Sequence, residues 1–181
     1  MIKRLTVAGV GSFLSCDDAI GLRLVEAYAR QPLPSGVTTQ PWEDADALTL
    51  ADNLLESDEP LLLVDCADMG LTAGSWRVFA GDEARFRCHS DALSTHGLGV
   101  AEALAIAREL GREAAVHLFG VQPFDLSPRP GLSDGMQECF AALFTALSES
   151  VDTILNNPLT EPANRQQADR RQSSSIPPAR K

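Results

Sequence analysis

Leu61-Leu62-Leu63-Val64 sets four apolar residues in a row with no polar alternation, and the run stops on Asp65. A strand with one face in water alternates apolar and polar residues. One that does not alternate must be covered on both faces, as the central strands of parallel sheets are. The segment therefore predicts an interior strand of an α/β fold. Its position also gives weight to the carboxylate that closes it, because ligand sites in open α/β sheets lie outside the carboxyl ends of the strands.

The rest of the chain fits around that strand. Ile2 to Val10 reads as a second buried strand, broken by Gly9 and Gly11 into a tight turn. Asp17 or Asp18 is placed to cap a helix running to about Arg30, with Ile20, Leu24, Val25 and Tyr28 as its apolar stripe. Pro32 and Pro34 end it. Val37 to Trp42 reads as a strand, and Ala45 to Leu55 as a helix with Leu48, Ala51, Leu54 and Leu55 on one side. Ser75 to Ala80 is a further strand after turns at Gly70 and Gly74. Gly97 to Leu110 reads as a helix burying Val100, Ala103, Leu104 and Ala107; a strand over Ala115 to Val121 and a helix over Leu132 to Val151 follow. Such alternation predicts a three-layer α/β sandwich, a mostly parallel sheet with helices on both faces. From Asn156 the composition turns to Asn, Gln, Ser, Pro and Arg with almost nothing to bury. Residues 1–155 are thus expected to form a single domain and 156–181 a disordered polar tail.

Composition narrows the function. The 181 residues are 44% apolar, enough for one globular core. No apolar run approaches the roughly 20 residues of a membrane span, and the N-terminus lacks the features of a secretory signal, so a cytoplasmic protein with no membrane partner is expected. The net charge of −10 argues against nucleic acid, which demands clustered Lys and Arg. Arg165, Arg170, Arg171, Arg180 and Lys181 outweigh Glu161 and Asp169 in the tail by +3, leaving −13 on the body. So acidic a body favours a cationic partner or a metal over a nucleotide. Cys16, Cys66, Cys88 and Cys139 show no C-x-x-C spacing and read as reduced thiols, with Cys16 and Cys66 as small buried hydrophobes at strand ends.

Three segments carry candidate chemistry: Asp17-Asp18 behind the first strand, Asp65 at the end of the central one, and Ser94-Thr95-His96-Gly97 at the start of a helix. Two carboxylates and an imidazole make an oxygen- and nitrogen-rich half-shell suited to a borderline divalent cation such as nickel or zinc. Each residue also has a plainer role. Asp17 and Asp18 serve as helix caps, though capping needs only one of them; His96 serves as a helix-entry residue. His89 and His117 compete with His96 but lie in a charged connector and within a strand. The Gly9-Val10-Gly11 turn suggests a dinucleotide site, yet the third glycine of G-x-G-x-x-G is Leu14, and Asp17 and Asp18 would repel a pyrophosphate. No G-x-S-x-G elbow, H-E-x-x-H or P-loop lysine motif is present.

Taken together, Gly9-Val10-Gly11 through Asp17-Asp18-Ala19-Ile20-Gly21, Val64-Asp65-Cys66-Ala67-Asp68-Met69-Gly70-Leu71, Ser94-Thr95-His96 and Leu118-Phe119-Gly120-Val121-Gln122-Pro123 resemble, in order and spacing, the [NiFe]-hydrogenase maturation endopeptidases. The resemblance covers most of residues 4–140. It implies a twisted five-stranded sheet between helices, and one C-terminal cut in a nickel-loaded hydrogenase large-subunit precursor. By motif position it assigns Asp18, Asp65 and His96 to the metal, with Asp18 and Asp65 at the chemistry. The nickel is expected to come with the substrate, and the protein to act as a monomer. Two positions depart from the family's pattern: Ser12 stands where Asn is usual, and Trp42-Glu43-Asp44-Ala45 where an Asp-Gly-Gly segment is common. The rival readings are a nickel-handling assembly protein that uses the same ligands without cutting, and a nucleotide-binding α/β protein.

Overall fold

The computed structural model describes residues 4–56, 58–80 and 97–156, and within them strands mostly alternate with helices. In order, the elements are β1 (Leu5–Gly11), a 3-10 turn (Cys16–Ala19), α1 (Ile20–Ala29), β2 (Val37–Glu43), α2 (Ala47–Leu55), β3 (Leu61–Cys66), β4 (Trp76–Ala80), α3 (Gly97–Glu109), β5 (Val116–Val121) and α4 (Asp134–Asn156). The five strands form one sheet in the order β2-β1-β3-β5-β4. All neighbours are parallel except β4, which runs antiparallel along β5 at one edge.

The apolar run at residues 61–64 is the middle strand, and its lack of alternation has the expected cause. Leu62 and Val64 face a core shared with α1 and α4, whereas Leu61 and Leu63 face a second core shared with α2 and α3. β1 and β5 divide in the same way, Val7 and Phe119 to one side, Ala8 and Leu118 to the other. Trp76 stacks on Phe119 with centroids 5.2 Å apart, and Tyr28 meets Phe144 at 6.2 Å to join α1 to α4. The three-layer sandwich is therefore present as expected. Among the described residues, no helix is long and apolar enough to cross a membrane.

Two local expectations need correction. Neither Asp17 nor Asp18 caps a helix: both lie in the 3-10 turn, α1 begins only at Ile20, and no side chain caps either element. In α2 the buried residues are Leu50, Ala51 and Leu54, and Leu48 is 69% exposed. Asp46 fixes that helix start by accepting the Thr49 amide at 2.8 Å, and the apolar stripe is rotated from the one the leucine spacing suggests. At the far end of α2, the Arg112 guanidinium donates to the Leu54 carbonyl of the last turn, supplying a donor it lacks, and to the Glu59 carbonyl in the connection to β3.

The chain leaves β1 toward β2 on one side and returns to β3 on the other. The switch point of the sheet thus lies between the carboxyl ends of β1 and β3. α3 opens at the same end, since a Cβ at Gly99 would stand 4.0 Å from the Ala47 amide at the start of α2.

Candidate functional site

Glycine sets how closely the first helix approaches the sheet. A Cβ on Gly21 would lie 2.2 Å from the Val64 carbonyl oxygen and 2.5 Å from that of Val10, and one on Gly9 would lie 2.6 Å from the Gly21 oxygen. The first turn of α1 therefore rests directly on β1 and β3, backbone against backbone. Gly11, at φ +139°, lets the Asp18 carbonyl come as close as 2.0 Å to where a Cβ would be. The G-x-G turn thus serves helix–sheet contact, and it brings the residues after β1 down to the end of β3.

Asp18 and Asp65 are both buried at this switch point. Asp18 accepts the Ser12 amide at 2.7 Å through Oδ2. Asp65 receives the amide of Cys66, while its Oδ1 is buried without a hydrogen-bond partner among the described residues. Burial first, and then the neighbouring Asp18 charge, push the Asp65 carboxyl up to about 8. A carboxyl so desolvated beside a second carboxyl is poorly satisfied alone and gains from an approaching cation. The Cys66 thiol is also pushed up, by burial and by Asp65, so it persists as a neutral buried thiol.

The sequence expectation that Asp18 and Asp65 converge is met. His96 lies outside the described residues, as do His89 and Cys88. Among the described residues no group of three His, Cys, Asp or Glu side chains is assembled that could hold a metal ion. His117 is buried within β5, away from the open end. Asp44, in the turn that replaces the expected Gly-rich segment, has φ +50° and donates its amide to the Gly11 carbonyl at 3.0 Å. It adopts a backbone conformation that glycine would enter freely.

Several hydrogen bonds around the site are not legible in the sequence. Asp17, adjacent to Asp18, turns away from it. Its carboxylate accepts the amides of Phe124, Asp125 and Ser133 at 2.9, 3.0 and 2.8 Å and the Ser133 hydroxyl at 2.8 Å. Gln122 fixes the segment after β3 by accepting the Met69 and Leu71 amides and donating to Asp68 at 3.0 Å. Asp125 holds Ser127 and Arg129, which keep its carboxyl down at about 2. The Asp17 and Gln122 bonds join residues 51 to 116 positions apart, and nothing in local spacing announces them.

Arranged this way, the open end of the sheet can accept a cation on two carboxylates while its loops are held by hydrogen bonds. Comparison with known proteins agrees with the geometry. A family model described as hydrogenase maturation protease matches residues 45–150. The hydrogenase expression/formation protein HupD of Bradyrhizobium diazoefficiens is 33% identical over 126 residues, 68% of this chain and 65% of that protein. This chain thus spans just under two thirds of that relative's length. The hydrogenase 2 maturation protease of Escherichia coli is 32% identical over 132 residues, 72% of this chain and 79% of that one. In three dimensions the hydrogenase maturating endopeptidase HybD from E. coli superposes with a TM-score of 0.67 at 26% identity, covering 82% of this chain and 92% of that one. With the family model matched over more than half of its length, and with these relatives and this fold, the chain belongs to the hydrogenase maturation protease family.

Proposed function

We propose that this protein is an endopeptidase that removes the C-terminal extension of a nickel-loaded [NiFe]-hydrogenase large-subunit precursor in the cytoplasm, and that it recognises the precursor by the nickel the precursor carries. The reading rests on family membership. The observation that carries it further is at Asp65, beside Asp18: the buried Oδ1 of Asp65 has no hydrogen-bond partner among the described residues. Two carboxylates make an incomplete shell, which suits a metal already held by substrate better than one the protein must keep for itself. His96 is the proposed third donor. Substrate nickel would complete its coordination on these side chains, and cation binding would draw the proton off Asp65.

Docking in this way places the peptide next to the site, and positioning alone supplies a large part of a hydrolytic rate. A carboxylate freed of its proton is then available to take one from an attacking water, with Asp18 and Asp65 as the groups at hand. The acidic body, −13 without the tail, adds a field that favours a cationic docking element.

The deciding experiment incubates the protein with precursor purified with and without nickel and follows the precursor's mass. Loss of the C-terminal extension from the nickel-loaded form alone is the expected result. Binding of the loaded precursor without shortening would replace the protease by a nickel-handling assembly factor. Equal cleavage of both forms would remove nickel from recognition.

A further inference from the structure

Asp17 is fully buried and outside the pair assigned to the chemistry, yet its carboxylate gathers four hydrogen bonds from the segment between β5 and α4. Its Oδ2 accepts the Phe124 and Asp125 amides and the Ser133 hydroxyl, and its Oδ1 accepts the Ser133 amide. Ser133 in turn caps α4, its hydroxyl accepting the Met136 amide at 3.2 Å. Backbone bonds run the other way across the same seam. The Cys16 amide donates to the Arg129 carbonyl at 2.8 Å and the Asp17 amide to the Asp125 carbonyl at 3.1 Å. The 3-10 turn bearing Asp18 is thereby locked to the connection between β5 and α4.

We infer that Asp17 is a positioning residue for the reaction: by pinning the 3-10 turn to the segment from Phe124 to Ser133, it fixes where the Asp18 carboxylate stands relative to Asp65. The turn is short and uncapped, and Cys16 within it holds a positive φ of 47°. Nothing intrinsic to four residues of 3-10 helix keeps them in this place. Asp18 itself reaches back to the Ser12 amide, so a shift of the turn must change that bond. The assignment of Asp18 to catalysis rests on the proposed function, but the mechanical claim about Asp17 does not.

The test is Asp17→Asn, which preserves size but turns one acceptor oxygen into a donor that faces donors. Amide hydrogen exchange at Ser12 is the diagnostic, because the Ser12 amide donates to the Asp18 carboxylate and the Asp17 carboxylate bonds elsewhere. Exchange at Ser12 is expected to quicken at least about tenfold, and kcat for precursor cleavage to fall by about two orders of magnitude with KM little changed, as for a small misplacement of a reacting group. Ser133→Ala should move both readouts in the same direction by less, and Ser133→Thr, which keeps the hydroxyl, should restore them. Arg112→Met, which removes two hydrogen bonds at the far end of α2, serves as the structural control and should leave Ser12 exchange and kcat unchanged. Unchanged Ser12 protection in Asp17→Asn, or an equal loss in Arg112→Met, overturns the inference. If Asp17→Asn does not fold, the two Ser133 variants decide. A wild-type protein that cleaves no precursor would refute the proposed function while leaving the exchange result to judge Asp17.

Discussion

Replacing Asp65 by Asn should make the protein more stable and inactive at once. Burial and the Asp18 charge hold the Asp65 carboxyl near 8 in the folded state, against about 3.9 in an unfolded chain. A carboxyl raised in this way favours folding only while protonated. Its contribution is complete below about pH 4 and is lost as pH rises through about 8. Each pH unit in that window costs about 1.4 kcal/mol, so the accumulated penalty near neutrality is on the order of a few kcal/mol. An amide never ionises. It keeps an acceptor for the Cys66 amide and offers a donor toward Asp18 in place of a second charge. The two proteins should therefore be equally stable within about 1 kcal/mol near pH 4, and the variant should gain steadily up to about pH 8 and then hold its lead. Urea denaturation of both proteins at a series of pH values from about 4 to about 9 measures the difference directly. In the same preparations cleavage of nickel-loaded precursor should vanish, since a neutral amide is a far poorer ligand than a carboxylate. A variant less stable than wild type near pH 8, or a difference that does not change with pH, would show that Asp65 is not held protonated by its surroundings.

Two further outcomes are expected. Gly21→Ala places a methyl group 2.2 Å from one backbone oxygen and 2.5 Å from another, so α1 must lift from the sheet at a cost of about 3 kcal/mol; a melting temperature within about 2 °C of wild type would contradict this packing. Deleting residues 157–181, which lie outside the described residues, should leave the melting temperature unchanged because their composition offers little to bury, and a large drop would move the domain boundary.

β1, β3 and β5 are legible because each is buried on both faces, and an uninterrupted apolar run such as Leu61 to Val64 has few other uses. β5 and α3 were read with nearly their observed limits for the same reason. The face of α2 was not, since leucines at 48, 50, 54 and 55 fit more than one helical stripe and the choice is made by the partner α3. At the site, the nearness of the Asp17-Asp18 segment to Asp65 follows from the rule that strand ends converge, whereas the choice of Asp18 over Asp17 comes from the family resemblance. The division of labour between Asp17 and Asp18 was invisible, because it depends on Ser133, 116 residues away. Gly9 and Gly11 were visible as a turn, but their purpose, contact with Gly21 and Asp18, belongs to tertiary structure.

β2 is the outermost strand on one side of the sheet, and one of its residues governs what can happen there. The Gly36 carbonyl and the Asp44 amide both bond to β1, so even-numbered positions along this strand face inward and odd-numbered ones face the open edge. Pro41 is odd-numbered, and its nitrogen, which carries no hydrogen, points outward. A foreign strand aligning with β2 would find a missing donor and a bulky ring midway along a seven-residue template. Edges left bare invite chain-to-chain pairing and aggregation, and proline is among the devices that blunt them. Covalent chemistry at Pro41 therefore opposes growth of the sheet on this side, and Pro41→Thr should increase the tendency of the protein to self-associate at high concentration.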